Sequence, residues 1–516
     1  MSKYSTDTRA GKQPLAQRLL DIVECTGNVL PHPVTLFVIF GGLVLILSAV
    51  ASRLGIAVTL TRVDGSLDTV EATSLLSAEG IRYLFSSAVT NFTGFAPLGT
   101  VLVAMLGVGA AEQTGLIKTG LRGLVLSTPP RLITSTVVFA GVMSNVASDA
   151  GYVVLVPLGG LVFLSVGKHP IAGIAAAFAG VSGGFSANLL ISTIDPLLGG
   201  ITTEAASFID PGYAVEPTAN WYFMIVSTFM VTVLGTWITE RIVEPRLGPY
   251  VGSTDVVLDR LTPAENKGLK AALVAVAATA GAIALLVVPP HGVLRNPETG
   301  TILGHSAFMA GLVPIIALLF FVPGVTYGIA TGSIRSDRDI AHALGRSMGT
   351  MGDYLVLAFV AGQFVAWFGH SRLGTLVAVK GADFLQATGL TGIPLLIGFV
   401  LVAALINLFI GSASAKWAIM APVFVPMFML VGYSPEQTQL AYRIGDSVTN
   451  IISPLMPYFA IIIAFAQKYQ KDIGLGTLIA VMVPYSMVFL MGWILLMVVW
   501  SLLGLPIGPG APVVLG

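Results

Sequence analysis

The stretch IGSASAKWAIMAP, residues 410–422, sets a lysine inside an apolar run, and MSNVASDAGYVVLVP, residues 143–157, sets an aspartate inside another. Both are small, hydroxyl-rich segments that carry one charge and lead into an apolar run ending in proline. The apolar sequence around them extends over 393–430 and 132–165, too long in each case for one membrane-crossing helix, with the polar knot near the middle. A helix that enters the membrane, turns at a polar tip and leaves on the same side fits both, because non-helical backbone at that depth is tolerated only where protein or water covers it.

The rest of the chain agrees with a membrane setting. Of 516 residues, 55% are hydrophobic and 10% charged, where a soluble domain carries about 25% charged residues; mean hydropathy is +0.87. Apolar runs at 34–52, 93–115, 171–194, 221–240, 271–289, 308–330, 352–369, 437–466 and 475–503 are each long enough to cross, given a hydrocarbon core of roughly 30 Å. The expectation is an all-α polytopic membrane protein with nine transmembrane helices plus two re-entrant helical hairpins. A β-barrel would show alternating ten-residue segments instead. Zero formal charge gives nucleic-acid binding no support, and the single Cys25 excludes a disulfide framework or thiolate metal cluster. Residues 1–33 read as a cytoplasmic leader without the apolar core of a signal peptide, carrying an amphipathic surface helix over 14–29.

Charge placement orients the chain. With the N-terminus inside, 18 of the 26 Lys and Arg fall in inside segments and 6 outside, while Lys416 and Arg443 lie within the membrane, as the positive-inside rule requires. The C-terminus is then outside, hairpin 132–165 opens inward and hairpin 393–430 opens outward. The order helix, hairpin, broken helix occurs at 93–200 and again at 352–460. FSANLLISTIDP (185–196) matches DSVTNIISPLMP (446–457), with Asn188 and Asn450 offset by 262 residues and Pro157 and Pro422 by 265. The expectation is an inverted repeat, the plan of many secondary transporters, with sites at the repeat interface. The first half is 34–240, a charged cytoplasmic linker is 241–270, and the second half is 271–516.

Ionisable groups inside a membrane cost about 2.5–3.5 kcal/mol each on insertion scales, so Asp149, Asp195, Asp353, Lys416, Arg443 and Asp446 invite explanation. Arg443, Asp446 and Asn450, at i, i+3 and i+7, share one helix face ahead of Pro454. Either that face lines a substrate cavity, with Arg443 gripping a carboxylate, or Arg443 and Asp446 neutralise each other. Asn188, Ser192 and Asp195 form the matching face before Pro196; Asp195 is an ion ligand or a helix cap. The tips offer Ser144, Asn145, Ser148 and Asp149 on one side and Ser412, Ser414 and Lys416 on the other. Their oxygens suit a hard cation such as Na⁺, or the small residues simply let helices pack. The Lys416 ammonium either takes the place of a bound cation, pointing to H⁺ coupling, or snorkels, or pairs with Asp446. Trp417 is a candidate for stacking on an aromatic ring, and Trp221 and Trp367 read as interface anchors. Asp353 reads as a cap. The six histidines show no ligand spacing, and no Walker A, HExxH or GxSxG pattern occurs.

The chain resembles the p-aminobenzoyl-glutamate transporter (AbgT) family of bacterial inner-membrane proteins. The resemblance runs nearly end to end, through LPHPVTLFVIF, NFTGFAPLGTVLV, AAFAGVSGGFSANLL, TIDPLLGGITTEAA, EPRLGPY, INLFIGSASAKWAIMAPVFVPMFMLVGY, YRIGDSVTNIISP and GLPIGPGAP. It implies a bowl-shaped homodimer with nine transmembrane helices and two hairpins per subunit. It implies import of p-aminobenzoyl-glutamate, with some members described as exporters of sulfonamide antimetabolites. By motif it places functional positions on Asp195, Ser414, Trp417, Arg443, Asp446 and Pro454. The resemblance departs at Lys416, where the family pattern carries an uncharged residue, so the ion coupling is not carried over. The combined expectation is a secondary active transporter of an aromatic carboxylate, not an enzyme, needing no cofactor beyond Na⁺ or H⁺. Arg443, Trp417, Ser414, Asp446 and Pro454 would hold substrate. Asp195, Asn188, Asn450, Ser148, Asp149, Asn145, Ser412 and Lys416 would serve the ion. A proton-coupled sulfonamide efflux pump is the alternative; a channel and an intramembrane protease are the rivals outside transport.

Overall fold

The computed structural model describes residues 31–61, 67–147, 150–252, 260–302, 306–454, 456 and 458–515. Most of the proposed leader and its surface helix over 14–29 lie outside the described residues, as do Ser148 and Asp149 of the first tip.

Among the described residues, seven helices are long and apolar enough to cross a bilayer: Pro33–Arg53, Ala96–Gln113, Trp221–Leu247, Pro263–Val287, Leu312–Thr331, Gly352–His370 and Leu475–Leu502. Several open on a proline within the first turn, where its missing N–H costs nothing. Pro263–Val287 also carries a full capping box, with Thr262 and Glu265 each bonding the other's backbone N–H. Their outer faces are apolar: Val38, Ile39, Leu43, Ile46 and Val50 on one helix and Leu273, Val274 and Leu285 on another are exposed. Such stripes on many helices at once are what a bilayer solvates.

The other two expected spans, 171–194 and 437–466, are not single helices. The first is Pro170–Phe178, continued by a π turn over Ala179–Gly183, then a non-helical stretch, then Ile194–Ala206. The second is Pro435–Asn450, a break, then Phe459–Gln467. Among the described residues there are thus seven long apolar helices and two broken segments, the breaks falling in the stretches where the sequence reading put broken helices. Each hairpin segment is two short helices, Ile133–Ser144 with Ala150–Ser165 and Gly392–Asn407 with Ala413–Met429. Pro157 and Pro422 lie inside the second arms rather than ending them.

Further corrections concern the loops. An antiparallel pair of strands, Ala57–Thr61 and Leu67–Glu71, breaks the all-α expectation. Segments assigned to loops are helical at Leu116–Leu126, Asp337–Gly349 and Leu373–Thr388. The linker is shorter than 241–270, because one helix runs to Leu247 and the next starts at Pro263.

The element order recurs. Ala96–Gln113, Leu116–Leu126, the first hairpin, the first broken helix and Trp221–Leu247 are followed, in the same sequence, by Gly352–His370, Leu373–Thr388, the second hairpin, the second broken helix and Leu475–Leu502. Local packing repeats as well. A Cβ on Gly180 would collide with the carbonyl of Val138, and a Cβ on Gly445 with the carbonyl of Val400. Val138 to Val400 is an offset of 262 and Gly180 to Gly445 an offset of 265. In both halves a hairpin arm thus presses backbone against the broken helix behind it, at a place only glycine permits.

Candidate functional site

The first broken segment packs against the helix Pro435–Asn450 of the second. Pro435–Asn450 is buried along its whole length, polar side chains included. Its face at Arg443 meets the start of Ile194–Ala206, and Arg443 NH1 lies 2.6 Å from Asp195 Oδ1. The other carboxylate oxygen, Oδ2, accepts the backbone N–H of Ser192 at 2.6 Å and its hydroxyl at 2.9 Å. Asp195 thus closes its own turn and also pairs across the halves, an ion pair that neither of the roles read from the sequence included.

Asp446, one turn after Arg443, does not pair with it. Its Oδ1 lies 2.5 Å from Lys416 Nζ. The ammonium also donates to Asn407 Oδ1 and, at 3.3 Å, to the carbonyl of Ile410. Asn407 is fixed by its amide: Nδ2 donates to the Asp446 carbonyl at 2.6 Å, to Thr449 Oγ1 at 2.9 Å and to Asn450 Oδ1 at 2.8 Å. The mutual Arg443–Asp446 neutralisation is therefore corrected to two separate pairs, one within the second half and one between halves. Asp195, Lys416, Trp417, Arg443 and Asp446 are each no more than 2% exposed, so a solute reaches them only after the surrounding helices move.

Trp417 stacks on Tyr442, with centroids 4.4 Å apart. Its indole N–H donates to Thr202 Oγ1 at 2.9 Å, and Thr202 and Gln439 continue a polar chain to Asn220, whose amide donates to the Glu436 carbonyl. The expected aromatic stacking partner is thus already packed on the protein's own ring. Tyr442 donates to the Ala413 carbonyl at 2.5 Å, which holds the start of the second arm against the broken helix. Ser412 caps that arm by accepting the Ala415 N–H at 3.4 Å, and its hydroxyl is 3.4 Å from that of Ser414. Both serines are only partly buried, as is Pro454 in the break.

In the first half, Asn145 Nδ2 donates to the Gly184 carbonyl at 3.2 Å. Asn188 Oδ1 accepts the Leu190 N–H at 3.3 Å, and Asn450 Nδ2 reaches across to the Ser182 carbonyl at 3.5 Å. The Trp221 indole donates to the Leu189 carbonyl, so it pins the break. Trp367 lies against Gly41 with its indole nitrogen buried and without a partner among the described residues. Neither is the plain interface anchor expected. Among the described residues no cluster of three His, Cys, Asp or Glu side chains occurs.

Sequence reasoning missed Asn407, Thr202, Gln439, Asn220 and Tyr442. Asn407 had a signal, as an amide at the end of the apolar arm GIPLLIGFVLVAALIN. The others are ordinary in sequence and gain meaning only from their partners.

Broken apolar helices that bury compensated charges belong to a polytopic membrane protein and recur in many transporters. The chain belongs to the AbgT transporter family: residues 18–515 match the model described as "AbgT putative transporter family". It is similar to the p-aminobenzoyl-glutamate transport protein of Escherichia coli strain K12, with 41% identity over 510 residues, 99% of this chain and 98% of that protein. It is similar in structure to the YdaH transporter of Alcanivorax borkumensis, whose fold is described as an unusual topology (51% identity, TM-score 0.88, 93% of this chain and 100% of that one). It is also similar to MtrF of Neisseria gonorrhoeae, described as illuminating a class of antimetabolite efflux pumps (52% identity, TM-score 0.90, 96% of this chain and 100% of that one).

Proposed function

We propose that this protein is a secondary active transporter that moves p-aminobenzoyl-glutamate or a related aromatic carboxylate across the bacterial inner membrane. Two oppositely oriented repeats would enclose the path, each with an inward- or outward-opening hairpin. The protein would work as a homodimer, with its N-terminus cytoplasmic and C-terminus periplasmic. One observation carries this reading: Asp195–Arg443 is a buried ion pair between the two broken helices. A substrate carboxylate competes with Asp195 for the guanidinium, whose Nε has no partner among the described residues. Separating the hairpin tip at Ser412–Ser414 from the broken helix would free Trp417 from Tyr442 to receive the aromatic ring. The similarity to MtrF supports a second direction, efflux of sulfonamide antimetabolites, through the same pocket.

The ion reading follows from Lys416. Asp446 Oδ1, Asn407 Oδ1 and the Ile410 carbonyl are an oxygen set suited to a hard cation, and the tethered ammonium fills it. Coupling at the second tip is then independent of Na⁺ and draws on H⁺. Purified protein in liposomes, with labelled p-aminobenzoyl-glutamate and separately imposed Na⁺ and H⁺ gradients, tests both parts. Saturable uptake driven by a gradient supports the carrier; flux linear in concentration and indifferent to every gradient makes it a channel.

A further inference from the structure

Trp417 ends a buried hydrogen-bond chain whose direction is fixed from both ends. Its indole N–H donates and never accepts, so Thr202 Oγ1, 2.9 Å away, is the acceptor. At the far end the Glu436 backbone carbonyl only accepts, so the Asn220 amide nitrogen faces it at 3.0 Å. Asn220 Oδ1 therefore takes the Gln439 Nε2–H at 2.9 Å, and Gln439 Oε1 is left facing Thr202 Oγ1 at 2.6 Å. The Thr202 hydroxyl proton serves that oxygen. The Leu198 carbonyl, 2.7 Å from the same hydroxyl, lies one turn back and already takes the helix's own N–H. A single hydroxyl thus accepts from the indole and donates to the amide, with Thr202, Trp417, Asn220 and Gln439 all buried.

The side chains come from separate elements: Trp417 from the hairpin arm Ala413–Met429, Thr202 from Ile194–Ala206, Gln439 from Pro435–Asn450, and Asn220 from the residue ahead of Trp221. Asn220 stands at a helix N-cap, where an asparagine side chain commonly bonds its own helix, and makes no such bond. Its amide is committed to the chain instead. Apolar side chains of the same shapes would fill these places at little cost in stability, so what the chain adds is geometry. It holds the indole by its edge, while Tyr442 covers a face with centroids 4.4 Å apart.

We propose that Thr202, with Gln439 and Asn220 behind it, is a positioning residue for the recognition of an aromatic ring. The Thr202 hydroxyl fixes the plane of Trp417, so that the face Tyr442 uncovers is presented in one orientation. The ligand class is a flat aromatic group joined to a carboxylate, and Thr202, Gln439 and Asn220 act on it only through Trp417. The Trp417–Thr202 bond then sets the preference for ligands with a ring over ligands without one, since Arg443 serves the carboxylate of both. That role deepens the transport reading and rests on it for the ring's reaching Trp417.

The test uses the purified full-length protein, with binding of labelled p-aminobenzoyl-glutamate measured in lipid nanodiscs and its uptake measured in liposomes. N-acetylglutamate, which keeps the carboxylates and lacks the ring, is the competitor, and melts establish that each variant is folded. Thr202→Val is expected to weaken p-aminobenzoyl-glutamate about tenfold, the scale of one aromatic stacking contact. It raises KM accordingly, while Vmax and the affinity for N-acetylglutamate change by less than about twofold. Thr202→Ser, which keeps the hydroxyl, restores the ring ligand to within about twofold. Trp417→Phe, which keeps a ring and drops the N–H, weakens it to a similar extent, and adding Thr202→Val to it costs little more, because both remove one bond. Where Thr202→Val does not fold, Gln439→Met takes its place and shifts the same preference about threefold. Equal weakening of both ligands overturns the proposal, and so do losses that add in the double variant. Driven uptake whose KM is unmoved by Thr202→Val overturns it and leaves the transport reading standing. Selective weakening of the ring ligand in nanodiscs, with no driven uptake by the unaltered protein in liposomes, leaves the positioning role standing and overturns the transport reading.

Discussion

The two hairpin tips are built alike and charged differently. Each lays a glycine-sized contact between arm and broken helix, and each turns an asparagine amide onto a carbonyl at the break. The second tip then adds Lys416 against Asp446, two further bonds from Asn407 and the Tyr442 clasp on Ala413. Of the first tip's two expected ionisable and hydroxyl ligands, Ser148 and Asp149, neither lies among the described residues, and its described asparagine makes one side-chain bond. The element order thus repeats while the side chains around it differ, Lys416 with Asp446 among them. The two broken segments are bridged by a pair that belongs to neither tip, Asp195 with Arg443.

The largest expected effect comes from breaking that bridge. Asp195→Ala or Arg443→Ala leaves one uncompensated charge in a dry site and destabilises by about 3–5 kcal/mol, with transport of p-aminobenzoyl-glutamate lost. The double variant, measured in the same melts, regains much of the stability but no transport. Losses that simply add in the double variant would show the pair to be uncoupled.

Lys416→Gln comes next. It strands Asp446 and lowers Tm clearly, and adding Asp446→Asn restores part of the loss. In liposomes the single variant turns transport Na⁺-dependent at the second tip; ion dependence that does not change removes the tethered-cation reading and makes the tips more alike than proposed.

Gly180→Ala and Gly445→Ala address the shared scaffold. Each forces a Cβ into a carbonyl and costs about 1–3 kcal/mol, so thermal melts of the two variants fall by similar amounts. A large cost in one and none in the other would break the structural correspondence. Asn407→Ala and Asn145→Ala, by contrast, differ: at about 0.5–1.5 kcal/mol per hydrogen bond, the first loses more because it gives up three donor bonds and the ammonium contact. The smallest change is Trp417→Phe, which keeps the ring on Tyr442 and drops only the bond to Thr202, about 1 kcal/mol in a melt.

How much of this was legible in sequence follows from what each feature depends on. Apolar length shows in composition, so most long helices were read to within a few residues, 34–52 against Pro33–Arg53 and 475–503 against Leu475–Leu502, while the charged ends of Trp221–Leu247 and Pro263–Val287 were missed by seven or eight residues. The polar knots marked both hairpins, and Pro454 and Pro196 marked the breaks, because a helix without its hydrogen-bond ladder needs residues that tolerate the loss. Amphipathic helices outside the apolar runs, such as Asp337–Gly349, were read as loops, since their charge masks the periodicity. The site residues were found by cost, charge being conspicuous in an apolar chain. Their partners were not, because Arg443 and Asp446 are neighbours on one helix and spacing alone pairs them.

By itself the sequence determined a polytopic helical membrane protein, two polar tips with two broken helices, and the short roster of buried charges; hydrophobic length and the penalty for buried polarity act locally and leave a local record. Only the tertiary structure decided that Asp195 takes Arg443, that Lys416 takes Asp446, and that Asn145 turns its amide onto a carbonyl as Asn407 does. Those are contacts between segments up to 248 positions apart in the chain, and contacts of that kind are set by how helices pack, which no window of sequence contains.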